Sequence, residues 1–73
     1  MGEVLRQGGL VVTAYSADHA PPHVHVFRRG EYEVVLFLDD PVTLREIRGD
    51  ATGKAVRAAR RLVAAHLQEC RDE

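Results

Sequence analysis

A chain of 73 residues has room for one domain, near the size at which a hydrophobic core alone gives marginal stability. Ten basic and eleven acidic residues give a formal net charge of −1, which excludes nucleic-acid binding driven by bulk positive charge. The lone cysteine excludes an internal disulfide and is typical of a reducing cytoplasm. We expect a single cytoplasmic domain over residues 1–73, stabilised by self-association or by a small partner protein.

Hydrophobic runs are short, and none approaches the roughly 20 residues needed to span a bilayer. The start, Met1–Arg6, lacks the basic and apolar stretches of a signal peptide and the Ser or Thr that favours myristoylation of Gly2. These features predict no membrane span, no export signal and no lipid anchor.

Strand patterns separated by turn residues occupy the chain as far as Asp50. The expected strands, rich in β-branched and aromatic residues, are 10–15, 23–29, 32–38 and 42–48. Between them lie a loop stiffened by Pro21-Pro22, a tight turn at Gly30-Glu31 and the turn Asp39-Asp40-Pro41. The pattern predicts a small antiparallel meander of three to four strands.

The last segment changes its hydrophobic period. Apolar side chains recur at spacings of three and four, which predicts an amphipathic helix over about 52–71 with Asp50 or Thr52 as its N-cap. The fold class is therefore α+β, with this helix packed on one face of the sheet. On the apolar stripe we expect His66 to be a core histidine with one hydrogen bond, and Cys70 to be a small buried side chain.

Alternation along strand 23–29 divides its side chains between two faces. Val24 and Val26 point one way, and His23 and His25 point the other. If the valines face the helix, the histidine pair lies on the face that the helix leaves uncovered.

Strand 32–38 is apolar on both sides, so we expect it to be central in the sheet. The helix covers one of its faces. The other face, with Val35 and Phe37, then needs a different cover, and a partner subunit would supply it. This pattern predicts a dimer.

Three of the four histidines lie in the run Asp18-His19-Ala20-Pro21-Pro22-His23-Val24-His25. Histidine changes its protonation near neutrality, and it is also the commonest metal ligand. His23 and His25, about 7 Å apart at Cα from the rise per residue of a strand, can converge on one phosphate, water or metal ion. The turn at Pro21-Pro22 can bring His19 back toward this pair. Asp18 can accept a hydrogen bond from a ring nitrogen and so fix the tautomer of that ring. The cluster predicts a site for general acid–base catalysis.

Two other interpretations of the histidines stay open. They can be ordinary surface side chains beside a turn that Asp18 caps and the prolines shape. Alternatively His19, His23 and His25 can bind zinc and leave one position for water, which is the pattern of catalytic zinc sites. The lone cysteine argues against a structural zinc site.

Basic residues cluster on the helix face opposite the apolar stripe: Lys54, Arg57, Arg60 and Arg61. A solvated helix exterior explains them, and if RNA binds they are the residues expected to position its phosphates. Two Phe, two Tyr and no Trp give little basis for a stacking platform for single-stranded nucleic acid.

The run from Tyr15 to Val26 resembles the D-H-x-P-P-H-x-H signature of small bacterial proteins grouped as domain of unknown function 4160. The similarity extends over nearly the whole chain, including the terminal helix with His66. Two departures concern helix start and packing: Ala51-Thr52 stands where members tend to have Leu-Pro, and Leu62 where they carry Trp. The resemblance implies a toxin-like component of a toxin–antitoxin pair.

From the histidine spacing and this resemblance we expect metal-independent RNA cleavage. One of His23 and His25 would deprotonate the ribose 2′-hydroxyl, and the other, or His19, would protonate the leaving oxygen, with Asp18 orienting an imidazole. No cofactor is expected in this mechanism. The alternatives are a zinc-type metal-binding protein and a non-catalytic interaction module whose binding face includes Val35 and Phe37.

Overall fold

The computed structural model describes residues 2–14 and 22–72. Its elements in chain order are β1 (Gly2–Gln7), β2 (Leu10–Ala14), β3 (His23–Arg28), β4 (Tyr32–Phe37), β5 (Thr43–Gly49), α1 (Gly53–Ala65) and α2 (Leu67–Asp72). Neighbouring strands pair antiparallel in the sheet order β1-β2-β3-β4-β5. The α+β class and the meander are confirmed, but the described sheet has five strands, so the prediction of three to four was too low.

The extra strand is β1, which a glycine turn joins to β2. Gly8 and Gly9 both have positive φ angles, 59° and 81°, and lie between the paired residues Gln7 and Leu10. Two successive positive φ values are the requirement of a type I′ hairpin turn, whose twist matches that of the flanking strands. The first strand expected from the sequence begins at residue 10, and no strand was expected before these glycines. They connect two strands instead.

The turn between β3 and β4 determines which residues of the two strands lie opposite each other. Arg28 pairs with Tyr32, the amide of Glu31 donates to the carbonyl of Arg28 at 3.0 Å, and Gly30 takes the positive φ of 79°. This register places His23 opposite Phe37. β4 lies between β3 and β5, so it is an inner strand, as expected for a strand that is apolar on both sides, but the middle strand of the five is β3.

The core lies between the sheet and the helices. Val24 and Val26 of β3 are fully buried and form one cluster with Ala59 and Val63 of α1. The valines therefore face the helix, which is the condition under which we expected the histidine pair on the uncovered face. Because side chains alternate along a strand, the neighbouring histidines of β3 lie on the opposite face of the sheet.

Val35 does not need the cover that we expected a partner to supply. Its side chain is 0 % exposed within this chain, although it lies on the sheet face away from α1, opposite His25. Phe37 on the same face is only half-buried. The expectation that Val35 requires a partner subunit was wrong, because side chains of the same chain already exclude water from it.

The predicted helix begins as expected and is interrupted near its end. The hydroxyl of Thr52 accepts a hydrogen bond from the amide of Ala55 at 3.1 Å, which confirms Thr52 as the N-cap. The helical pattern breaks at His66, where the backbone amide donates to Val63 at 3.1 Å and φ is −124°. The expected helix 52–71 is therefore two helices. Neither is long and apolar enough to cross a bilayer, and the rest of the described chain contains no such helix.

His66 is the residue between the two helices. Its Nδ1 is 2.7 Å from Oε2 of Glu69, so it makes one side-chain hydrogen bond, but the side chain is 36 % exposed. The prediction of a core histidine was wrong, because the His66 side chain is partly accessible to solvent and its partner Glu69 is exposed. Cys70, on the short second helix, is buried as predicted.

Gly49 and Gly30 offer a matched test of backbone crowding. Both have positive φ, 86° and 79°, but a Cβ on Gly49 would lie 2.7 Å from the carbonyl oxygen of Glu31, whereas Gly30 has nothing within 4 Å. Gly30→Ala should cost about 1–2 kcal/mol from the left-handed backbone alone. Gly49→Ala should cost more, as measured by urea unfolding. Equal losses would contradict the crowding at Gly49.

Burial also gives a pH dependence to Cys70. Desolvation raises the pKa of the Cys70 thiol above its ordinary value of 9.0, and the charge of Glu69 adds to this effect. The unfolded chain therefore loses the thiol proton at a lower pH than the folded chain does. The free energy of unfolding is unaffected while the pH is below the ordinary pKa of the thiol, and it falls as the pH rises above that pKa. We expect Cys70→Ala to flatten this alkaline fall in urea unfolding between about pH 7 and about pH 10. Identical slopes would contradict the effect of burial.

Candidate functional site

Two histidines lie side by side on the sheet face away from α1. The ring centroids of His23 and His25 are 5.4 Å apart, with an angle of 53° between the ring planes. The start of β3 is held against the end of β4, because the amide of Leu38 donates to the carbonyl of Pro22 at 2.9 Å. Strand alternation and this anchoring bring together two of the three clustered histidines. The prediction of a shared face is confirmed for this pair.

Glu33 is the hydrogen-bond partner that orients His25. Nδ1 of His25 lies 2.6 Å from Oε2 of Glu33. Glu33 is two residues before Val35, the residue opposite His25, so the two side chains are diagonal neighbours on one face. A carboxylate only accepts, so Nδ1 carries the proton, and in the neutral ring Nε2 is the nitrogen that can take up another.

Arg48 extends this contact into an alternating row of charges across β3, β4 and β5. One of its terminal nitrogens is 3.3 Å from Oε2 of Glu33, and its Nε is 2.9 Å from Oε2 of Glu46. The hydrogen bond from Arg48 lowers the pKa of Glu46, and His25 makes a smaller contribution in the same direction. The same carboxylate raises the pKa of Arg48. Glu33 therefore has cationic or proton-donating partners on both sides.

Solvent access increases along this row. His23 is 8 % exposed, the side chain of His25 is 17 % exposed, and that of Glu33 is 30 % exposed. Arg48, at 59 %, extends into solvent. Partial burial lowers the local dielectric and strengthens the bond between His25 and Glu33 relative to one in water. The arrangement can hold one imidazole in a defined tautomer beside a second, more buried imidazole.

The remaining members of the predicted cluster, Asp18 and His19, lie outside the described residues. We expected Asp18 to orient an imidazole, but for His25 the described partner is Glu33. Glu33 is not among the site residues predicted from the sequence. Counting outward from a turn centred on Gly30 would have placed Glu33 on the same face as His25.

The basic residues of the helix lie far from the histidines in the architecture. Lys54, Arg57, Arg60 and Arg61 are all exposed on α1, and Nε of Arg60 donates to the carbonyl of Val42 at 3.2 Å. α1 covers the valine face, so the sheet itself separates these cations from His23 and His25. The structure does not bring the predicted phosphate-binding residues to the histidine pair.

The described residues contain no group of three His, Cys, Asp or Glu side chains placed to hold a metal ion. The predicted zinc set includes His19, which lies outside this part of the chain. Metal binding by the three histidines therefore stays an untested prediction.

The family described as Domain of unknown function (DUF4160) matches residues 9–73, which extend from the β1–β2 turn to the end of the chain. This chain belongs to that family. The match includes His23, His25 and Glu33, and it confirms the resemblance noted from the sequence. No curated protein and no solved structure matches the chain. The family's description assigns no activity, so the site's geometry carries the functional argument.

The bond to Glu33 predicts a single tautomer for His25. In Glu33→Ala the ring loses this acceptor, and we expect the Nδ1–H form to give way to a mixture of tautomers. Imidazole nitrogen NMR at about pH 8, where an ordinary histidine is neutral, measures the two forms directly. Glu31→Ala, which removes a carboxylate from the adjacent turn, should leave His25 unchanged. An unchanged tautomer in Glu33→Ala would contradict the orienting role.

Proposed function

We propose that this chain is a toxin-like component of a bacterial toxin–antitoxin pair, acting in the cytoplasm as a metal-independent ribonuclease. The observation that carries the proposal is the 2.6 Å contact between His25 and Glu33, next to the His23 ring at 5.4 Å. Two adjacent imidazoles, one of them held by a carboxylate, are the groups that an acid–base transfer between two oxygens requires.

His25 is assigned as the general base. Its Nε2 takes the proton of a ribose 2′-hydroxyl while Nδ1 donates to Glu33. The ring then becomes a cation, and the neighbouring carboxylate of Glu33 stabilises that charge, as in other carboxylate–histidine pairs. The greater exposure of His25 compared with His23 also suits the group that first contacts the substrate.

His23 is assigned as the general acid. The deprotonated 2′-oxygen attacks the adjacent phosphorus, the bond from phosphorus to the 5′-oxygen breaks, and protonated His23 gives its proton to that leaving oxygen. The products are a 2′,3′-cyclic phosphate and a 5′-hydroxyl, so atoms and charge balance without an oxidant or a metal. His19, predicted as an alternative acid, remains a candidate for the same step.

Arg48 is our choice for the cation that contacts the phosphate, because it is exposed and reaches the histidine pair through Glu33. The exposed basic residues of α1 lie on the other side of the sheet. We therefore assign Lys54, Arg57, Arg60 and Arg61 only to phosphates remote from the cleaved bond, and their role in RNA binding stays a prediction.

The experiment uses untagged protein and a single-stranded RNA with a chelator present, alongside the same sequence with 2′-O-methyl groups. We expect cleavage of the RNA to cyclic phosphate ends and no cleavage of the methylated strand, because methylation removes the nucleophile. RNA that stays intact between about pH 5 and about pH 8 would overturn the proposal. Cleavage that the chelator abolishes would favour the zinc alternative instead.

Substitutions should distinguish the proposed acid–base pair from His66, the third histidine among the described residues. His25→Ala and His23→Ala should each slow cleavage by about 10²–10⁴-fold, the usual contribution of a positioned acid or base. His66→Ala is the matched control, because His66 bonds Glu69 on the helical side of the molecule and should leave the rate unchanged. Equal rates in all three variants would contradict the assignment.

The second candidate function is a non-catalytic interaction module, favoured by the exposure of Leu44 and Ile47, each 42 % exposed on β5. A charge at the fully buried Val35 would unfold the chain and cannot test this idea. If the module is correct, Leu44→Asp should abolish toxicity in cells, whereas His25→Ala should leave it intact. The opposite result supports the ribonuclease.

A further inference from the structure

β5 is an unpaired edge of the described sheet. It pairs with β4 on one side and is the last strand in the sheet order. Every second residue of an edge strand directs its backbone N–H and C=O groups away from the sheet, where they can pair with another strand. The side chains of β5 determine which other strand can pair with this edge.

The apolar side chains of β5 are exposed on the helix side of the sheet. Leu44 lies opposite Leu36, and Ile47 lies opposite Val34, and both β4 residues belong to the core beneath α1. Leu44 and Ile47 are nevertheless each 42 % exposed, the only large hydrophobic side chains so exposed in the described residues. The edge therefore carries a short apolar strip that continues the core outward.

Between Leu44 and Ile47 in the chain are a basic and an acidic residue, whose side chains lie on the opposite face of the sheet. A register irregularity in β5 leaves Arg45 as the extra residue between Leu44 and Glu46. The guanidinium of Arg45 lies over the ring of Phe37 at 5.9 Å, and Glu46 is opposite Val35, so both charges lie on the histidine side. The strand thus has the order apolar, basic, acidic, apolar from Leu44 to Ile47.

We propose that β5 pairs antiparallel with β5 of a second copy of this chain, around a two-fold axis between Arg45 and Glu46. Leu44 then lies opposite Ile47 of the other copy, and Arg45 lies opposite Glu46 of the other copy. Each pair joins side chains on the same face, as strand pairing requires. The symmetry repeats each pair, which gives a self-complementary interface.

The charges favour a second copy over an unrelated strand. Glu46 uses Oε2 to bind Arg48 of its own strand, and a carboxylate can accept from a further guanidinium through its other oxygen. Pairing in this register joins the two sheets edge to edge. Both α1 helices then lie on one side of it and both His23–His25 pairs on the other.

The charge pair makes the test specific. Arg45→Glu alone places two carboxylates opposite each other, and Glu46→Arg alone places two guanidiniums opposite each other, so both variants should be monomers. Mixing the two variants restores both attractions and should give a heterodimer. The double variant R45E/E46R also restores them and should form a dimer by itself.

Mass is measured by light scattering or sedimentation. The wild type should have twice the chain mass of 8.1 kDa, and each single variant should have the chain mass. Arg57→Glu, an exposed charge reversal on α1, is the matched control and should remain dimeric. Circular dichroism checks that each variant is folded, and if a single variant fails this check the double variant still decides.

Three results would overturn the proposal: a monomeric wild type even at about 1 mM, single variants that remain dimeric, or a mixture that stays monomeric. If β5 instead binds a different protein, the purified wild type would be a monomer. The measurement reads only mass, so its outcome is independent of whether the chain cleaves RNA.

Discussion

The register of the β3–β4 hairpin is the constraint on which the other features depend. A turn centred on Gly30 pairs Arg28 with Tyr32, and from that pair every position outward is determined. The register puts Glu33 diagonally next to His25, on one face. A shift of one residue would exchange the faces of every side chain in the strand and separate the imidazole from its carboxylate.

The sheet also separates an apolar face, covered by α1, from a face with polar and charged side chains. On one side the valines of β3 and β4 pack against α1 and exclude water. On the other side imidazole, carboxylate and guanidinium groups alternate from β3 to β5, and exposure increases toward the edge. The proposed acid–base pair therefore lies on the face away from the helices, and His25 is the more exposed of the two imidazoles.

Local patterns accounted for the parts of the fold that depend on neighbouring residues in the chain. Alternation in β3 divided its side chains correctly between two faces, and Thr52, one of two predicted N-caps, is the N-cap of α1. Gly8-Gly9 is a typical hairpin turn sequence, although the first strand expected from the sequence began only at residue 10. The break at His66 had no comparable signal, because apolar spacing alone does not report where a helical hydrogen bond is lost.

By itself the sequence determined the α+β class, the family, the shared face of His23 and His25, and the burial of Cys70. These follow from side-chain period and composition, which are properties of one segment at a time. Only the tertiary structure decided that Glu33 orients His25, that the helix cations lie behind the sheet, and that Val35 is covered within the chain. Each of these depends on pairing between strands or on packing between layers, so no single segment encodes it.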